Sequence, residues 1–596
     1  MITSACGLDC YDGCKIIYED EKIRGDSTHP VGNGALCSIV NKEMKDAKRL
    51  TTPMINGKEV SMSEALSKVA EALKSPKSLL YRGSGNVGMM QEVTNLFMKE
   101  IDGCLTKGSL CDGSGDAGIV EGRGVNRTLP LSQIQKADTI VVWGRNIDIT
   151  NSHILPFIED KKIVVIDPIK TDIAKKADYH LQIEPRTDYY VAIMLARFIF
   201  MEDSQNDEFM EEFAPDFEDF YDYTREHRIK SILSYIGTDL GEMGRVIEYL
   251  RDKKVVFLVG TGVQKYSIGS YVLQAIDSLA STLGLFGKEG CGVSYLGNSK
   301  LDFINPFEVK TKTVSKVTTP FEQFDTVLIQ GANPLESMPD TNSVLSSLES
   351  VKDVIYFGLY ENETSKRANI VIPAKNFFEK DDVRVSYGHH YVEKMNKIKE
   401  CEFGISEYDF TKYLFDSFNL ETLKDESQYL EEILNQCDKD SDGNYISPAY
   451  QELPYSDGFG EDGGDEFVFI DDFDDDFVNT KKFRKYRKES KRKKIDETFW
   501  LISIKSKKSL NTQFRRDNIV RVNPSLGYED NTEIELESEF GKANFIIQND
   551  DSIIESAVVV NSSAYNLNNL TPSIISEFGD SACYGEVKVS INEKGK

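Results

Sequence analysis

"DTIVVWGRN", Asp138 to Asn146, and "DTVLIQGAN", Asp325 to Asn333, are two versions of one phrase. Each has Asp-Thr, an apolar strand-like run and a Gly-x-Asn exit. The likeness continues downstream: "IVVID", ending at Asp167, is followed by "TDIAKKADYHLQI", and "VIYFG", ending at Gly358, is followed by "TSKRANIVI". Each half therefore reads as apolar strand, polar loop, helix, second strand, short segment and third strand. That order is parallel α/β architecture with right-handed crossovers. Two similar halves predict two similar ligands.

In such sheets the ligand lies over the carboxyl ends of the strands, where exit loops expose backbone N–H groups to phosphate. Trp143, Gly144, Arg145 and Asn146 occupy one such edge, and Gly331 and Asn333 take the matching places in the second half. Asp167 ends the next strand about twenty residues later, where doubly wound folds set a carboxylate on a nucleotide ribose. "KVVFLVGTGVQ" puts Gly260 and Gly262 on a further edge. A lone Gly-x-Gly is an ordinary tight turn in most chains, but recurrence of such loops in register points to nucleotide binding.

The chain opens with "ACGLDCYDGC", so that Cys6, Cys10 and Cys14 share one short loop before a strand or helix has room to form, and Cys37 follows in "GNGALCSIV". Ten cysteines in 596 residues are too few for a disulfide scaffold. No basic and then apolar leader precedes Cys6, so the cysteines are expected to stay reduced in a cytoplasm. Closely spaced reduced cysteines are metal or cluster ligands. Zinc tolerates such gaps but usually draws paired ligands from two separate turns. Three ligands from one turn and a fourth from far along the chain is how a cubane iron-sulfur cluster is gripped.

Length predicts several domains, and 40% hydrophobic residues suffice for sizeable cores. No apolar run reaches a membrane span, and "YVAIMLARFIFM" reads as a buried helix. A net charge of -28 argues against a nucleic-acid partner. Much charge is local: "SDGFGEDGGDEFVFIDDFDDD" from Ser456 is followed by "KKFRKYRKESKRKK" from Lys481 to Lys494. Such blocks repel, and residues 437–494 read as a mobile insertion, a solvated linker whose basic half is a candidate docking element.

A cysteine loop followed by duplicated nucleotide lobes resembles the molybdopterin oxidoreductase family, the dimethyl sulfoxide reductase and formate dehydrogenase group, over nearly the whole chain. The matching stretches are "GDSTHPVGNGALC", "RLTTPMINGKEVSMSEAL", "WGRN", "IDPIKTDIAKKADYHLQI", "GANPLESMP" and "ANIVIPAKNFFEKDD". "SLNTQF" and "RVNPSLGYEDNTEIELESEFGKANFII" are similar to the family's terminal barrel, which covers the cofactors.

The resemblance implies a multidomain α/β fold: an iron-sulfur domain over 1–52, a discontinuous lobe of 53–105 with 301–420, a nucleotide-binding lobe over 106–300, and a barrel over 495–596. It implies a 4Fe-4S cluster on Cys6, Cys10, Cys14 and Cys37, beside two molybdopterin guanine dinucleotides that together chelate molybdenum or tungsten. Cofactor contacts carry over onto Trp143, Gly144, Arg145, Asn146, Asp167, Thr171, Thr187, Asp188, Gly260, Gly262, Gly331, Asn333, Asn511 and Gln513. A small-molecule substrate and an electron-transfer partner, such as a ferredoxin-like subunit, are implied with them.

The protein ligand to the metal falls in "SLCDGSGDAG", where Cys111 matches the cysteine or selenocysteine of related enzymes, with Asp112 and Ser114 as rivals. A soft thiolate suits such a metal. Several residues depart from the pattern. Asp112 stands where formate dehydrogenases of this group commonly have histidine, and Ile39 stands where a lysine is often found. Arg186 replaces a glycine in "PRTD", and the second half has no counterpart of Asp167. A noncatalytic electron-transfer subunit that keeps the cluster without the metal is the competing reading. His389 and His390 in "YGHHYVE" read as an exposed polar loop, with the lining of a funnel as the alternative. Cys104, Cys291, Cys401, Cys437 and Cys583 read as structural.

Overall fold

The structure, a computed structural model, describes residues 1–226, 228–473 and 498–593. Two α/β sheets organise it. In the first, parallel strands lie in the order Tyr179–Leu181, Lys162–Ile166, Thr139–Trp143, Val255–Val259 and Gly292–Ser294. The second has eight strands: Lys312–Ser315, Cys104–Lys107, Ser78–Arg82, Thr326–Gln330, Asp353–Gly358 and Ile370–Pro373 run parallel, and the short Met54–Ile55 and Lys58–Glu59 close one edge antiparallel. The two repeated phrases thus form the strand Thr139–Trp143 of one sheet and Thr326–Gln330 of the other. Every residue of both strands is buried, as expected where helices cover both faces of a parallel sheet.

The apolar stretch after Asp188 is indeed a buried helix, Asp188–Met201, packed in the largest core with the helix Gly269–Thr282. The latter crosses the helix Gly113–Arg123 closely, since a Cβ on Gly118 would lie 2.0 Å from the Ser270 carbonyl oxygen. At the far end of that crossing the Arg123 guanidinium meets Asp277 through two nitrogens, and both side chains are almost fully buried. No helix among the described residues is long and apolar enough to cross a membrane.

The C-terminal strands Thr498–Ile504, Ala557–Asn561, Ile519–Val522, Lys542–Asn549, Glu533–Glu537 and Lys588–Glu593 close into a barrel. Alternation drives it: Ile534, Leu536, Ala543, Phe545 and Ile547 point inward while their neighbours face out.

Two expectations are corrected. A strand does precede the cysteine loop: Ile2–Ala5 pairs with Lys15–Glu19, so the cysteines occupy a hairpin loop. Residues 437–473 also pack rather than float. Phe459, Phe467, Phe469 and Ile470 are buried in the largest core, with Phe469 stacked on Phe220 at 4.6 Å. The acidic residues between them stay at the surface, so aromatic anchors offset the like-charge repulsion. The basic run Lys481–Lys494 lies outside the described residues.

Candidate functional site

The hairpin loop is drawn shut by the Cys6 N–H, which donates to the Cys14 carbonyl at 2.9 Å. Cys37 arrives from the segment just before the helical turn at Ile39. Cys6 and Cys14 are buried, and Cys10 and Cys37 are half-buried. Burial pushes the Cys6 thiol up to about 12, with Cys37 adding to the effect. It pushes Cys10 and Cys14 well up too, and the neighbouring thiols reinforce it. Buried thiols that each oppose the ionisation of the others form a donor set that a cationic centre stabilises.

All four cysteines line one cavity of about 1510 Å³, which runs across the carboxyl ends of both sheets to the barrel. Cys111, Asp112, Gly144, Arg145, Asn146, Asp167, Thr171, Asp188, Gly260, Gly262, Gly331, Asn333, Asn511 and Gln513 line it as well. Trp143, Thr187 and Ser114 do not. The Trp143 indole is buried in the core and donates to Asp188 Oδ1 at 2.8 Å. The Thr187 hydroxyl donates to the Glu184 carbonyl at 2.6 Å. Ser114 Oγ is fully buried against Gly269 on the neighbouring helix, whereas Cys111 and Asp112 line the cavity.

The exit loops are built alike in both sheets. Gly144 and Gly331 both take the left-handed conformation, at φ +55° and +57°, which only glycine adopts freely. Gly260 N donates to Trp143 O at 2.8 Å and Gly262 N to Gly144 O at 3.3 Å. In the other sheet Gly83 N donates to Gln330 O and Gly85 N to Gly331 O, each at 2.9 Å. Each cradle thus joins a Gly-x-Asn loop to a Gly-x-Gly loop from the adjacent strand. Gly83 and Gly85 escape a linear search because their strand precedes its partner in the chain, whereas that of Gly260 follows. The signal was "LLYRGSG", a buried strand running into Gly-x-Gly.

The first cradle holds polar groups that the protein does not satisfy. Arg145 is buried and lies over the Tyr11 ring at 4.2 Å. Its Nη2 donates to Asn151 Oδ1 at 3.2 Å, but Nη1 has no partner within the described residues. The Asn146 carboxamide oxygen is likewise unpartnered. Asp167 accepts from the Ile169 N–H at 2.8 Å, and burial pushes its carboxyl up to about 7. Asn333, by contrast, is occupied: it donates to Glu336 at 2.7 Å and Thr512 at 3.1 Å and accepts from Thr364 at 2.8 Å.

Cys111 presents its side chain to the cavity at the mouth of the helix Gly113–Arg123. Ser109 Oγ organises the loop, accepting from Cys111 N at 2.9 Å and Asp112 N at 3.1 Å while donating to Asp112 Oδ1 at 2.8 Å. The Cys111 carbonyl accepts from the Gln264 amide and the Lys265 ammonium. The surrounding protein pushes the Cys111 thiol up to about 11 and Asp112 adds to this, while Lys265 and Lys505 act against it.

Residues 49–404 match the model of the molybdopterin oxidoreductase family. The chain belongs to that family. It is 26% identical over 443 residues to the probable oxidoreductase YyaE of Bacillus subtilis, covering 67% of this chain and 66% of that protein. It is 27% identical over 443 residues to the F420-dependent formate dehydrogenase subunit alpha of Methanocaldococcus jannaschii, covering 63% of each. Its match thus spans slightly less than two thirds of these curated relatives. Acetylene hydratase from Pelobacter acetylenicus shares the fold, with a TM-score of 0.79 at 13% identity over the whole of both chains.

The residues present fit the molybdopterin group that this family implies. Glycine loops with no room for a side chain, an unpaired buried guanidinium nitrogen and an unpaired carboxamide oxygen face the same cavity as a free thiol. The departures at Arg186 and Ile39 are absorbed. Arg186 takes the left-handed φ of +69° that glycine would take, and its Nε is 2.8 Å from Glu586 Oε1. Ile39 is buried beside the cysteine loop. His389 and His390 are corrected from exposed loop to buried residues, and His389 Nε2 lies 2.8 Å from the Asp12 carbonyl oxygen behind the cysteines.

Proposed function

We propose that the chain is a molybdenum- or tungsten-dependent oxidoreductase that passes electrons between a bis-molybdopterin guanine dinucleotide centre and a 4Fe-4S cluster. One observation carries this reading: a single cavity is lined by the four cysteines, by both glycine cradles and by a further cysteine, Cys111. The bound metal would supply oxygen-atom or hydride chemistry, and the cluster would relay electrons. The chain's own residues do the rest. Cys6, Cys10, Cys14 and Cys37 hold the cluster, three from one hairpin loop and the fourth from far along the chain, a ligand pattern that suits a cubane better than zinc. The two cradles present N–H groups and Arg145 to phosphate, and Asp167 accepts from a ribose. Cys111 offers the metal a thiolate that Ser109, Gln264 and Lys265 fix in place through the backbone.

Anaerobically purified protein is expected to carry about four irons together with molybdenum or tungsten. Cys111→Ala should abolish turnover with an artificial electron donor or acceptor while iron and guanine nucleotide stay bound. Iron without molybdenum or tungsten would instead establish a noncatalytic electron-transfer subunit, and zinc without iron would refute the cluster.

A further inference from the structure

Three neighbouring parallel strands of the eight-stranded sheet, Lys312–Ser315, Cys104–Lys107 and Ser78–Arg82, end at one edge. Lys316 is the residue just past the first, the second runs on into the Cys111 loop, and Arg82 closes the third. Lys316 N donates to Lys107 O at 2.7 Å, so the backbone itself fixes the lysine beside the strand that leads to Cys111. Both cations and Cys111 line the cavity.

The two cations differ in what holds them. Arg82 Nη1 donates to Asn95 Oδ1 at 2.6 Å and Nη2 lies 3.5 Å from Glu92 Oε1, so it is aimed and partly neutralised. Glu92 is itself shared with Lys300 and accepts from Asn305 at 2.8 Å. Among the described residues the Lys316 ammonium has no hydrogen-bond acceptor and no carboxylate at ion-pair distance; it stands 5.8 Å from the Tyr81 ring. The Tyr81 hydroxyl is buried and equally unpartnered. Burial pushes Lys316 down to about 8 and Arg82 adds to this, against the pull of Asp9, Asp112 and Glu92. An unpaired cation in a deep cavity is unfavourable unless a ligand completes it. Lys265, just past the Gly260–Gly262 loop, and Lys505, just past the barrel strand Thr498–Ile504, also act on Cys111, against Asp112 and Asp9.

We propose that Lys316, with Arg82 beside it, binds the charged end of a small anionic substrate, a carboxylate or an oxyanion, next to Cys111, and is the residue that selects anions over neutral substrates. This rests on the oxidoreductase reading of the same cavity. The test is calorimetric titration of holoenzyme with formate and nitrate as anionic probes and dimethyl sulfoxide as a neutral one, with guanine nucleotide content measured in parallel. Lys316→Gln should weaken binding of at least one anion roughly ten- to hundredfold, the range of one charge-assisted hydrogen bond. Lys316→Arg should restore most of it, and the neutral probe should not discriminate among the three proteins. Anion binding unchanged in Lys316→Gln, or absent from the wild-type protein, overturns the proposal. So does a fall in guanine content in that variant, which would assign the lysine to a cofactor phosphate. Protein that binds anions through Lys316 yet contains no molybdenum or tungsten would sink the oxidoreductase reading and spare the anion site.

Discussion

Replacing Gly260 by alanine tests whether the cradles hold the dinucleotides. The backbone at Gly260, φ -105° and ψ 168°, is open to any residue, so no conformational strain enters. The added methyl would lie 2.2 Å from the Gly144 carbonyl oxygen and 2.6 Å from both Cα and Cβ of Arg145. None of these is the tip of a flexible side chain, so relief requires the two loops to part. Overpacking of this kind costs about 1–3 kcal/mol, which a lobe with so large a core withstands. The consequence falls on the ligand, because displacing preorganised groups by about 1 Å costs roughly a hundredfold in what they do. Gly85→Ala makes the same test in the other sheet, where the methyl would meet Gly331 O at 2.6 Å. Gly244→Ala is the control: that position is helical and nothing lies within 4 Å of its new Cβ. The assay is guanine nucleotide released per chain on acid denaturation, with circular dichroism to confirm folding. Folded Gly260→Ala and Gly85→Ala should each lose half or more of the wild-type content, and Gly244→Ala none. Full guanine content in the folded Gly260 variant would refute the cradle assignment.

Two further outcomes follow from the geometry. Asp277→Ala leaves the Arg123 guanidinium buried without its carboxylate and should destabilise the first lobe by about 3–5 kcal/mol, whereas Arg123→Met with Asp277→Leu should lie near wild type; urea unfolding followed by Trp143 fluorescence in a Trp500→Phe background reads both, and a double variant as weak as the single one would contradict the account. Lys316 is a cation below its depressed value of about 8 and neutral above it, so formate affinity should be flat at lower pH and fall as pH rises through 8. Arg82, Asp9, Asp112, Glu92 and Tyr81 also face this lysine, so calorimetry must show that the fall vanishes in Lys316→Gln.

Elements whose apolar pattern is both local and unbroken were legible in the sequence. The strands Thr139–Trp143 and Thr326–Gln330 and the helix Asp188–Met201 are buried along almost their whole length, and nothing in their composition competes with that reading. Barrel alternation around Ile534 and Phe545 was legible for the same reason. The segment before residue 474 was not, because its charge dominates composition while its anchoring is done by a few aromatics; Phe459, Phe467 and Phe469 become a core only against Phe209, Phe220 and Phe286, which come from distant sequence. Buried histidines are illegible on the same ground. His389 is polar in sequence and becomes interior because the Asp12 carbonyl at 2.8 Å satisfies its ring nitrogen. Of the site, cysteine spacing and strand exits could be read from one stretch at a time. Lys316 could not, since its meaning comes from being neighbour to the Cys104–Lys107 strand across the sheet.

The two cradles show why the same backbone solution need not have the same side chains. Their hydrogen bonds match pair for pair, although the Gly-x-Gly strand follows its partner in one sheet and precedes it in the other. What must be shared is therefore the placement of N–H groups, which depends on strand adjacency and not on chain order. The side chains then diverge. The first cradle supplies its own polar partners, with Asp167 on the next strand and Arg145 and Asn146 left unsatisfied. The second has Gly358 at the position of Asp167, and beside Glu336 and Thr364 of its own lobe it takes partners from the C-terminal segment: Thr512 accepts from Asn333 at 3.1 Å and Gln513 donates to Gly85 O at 3.1 Å. The second cradle draws part of its hydrogen bonding from the C-terminal domain. Closure of the barrel over the cavity is thus coupled to the second cradle through Thr512 and Gln513, and to the cysteine loop through Asn511, which donates to Asp9 Oδ2 at 3.0 Å.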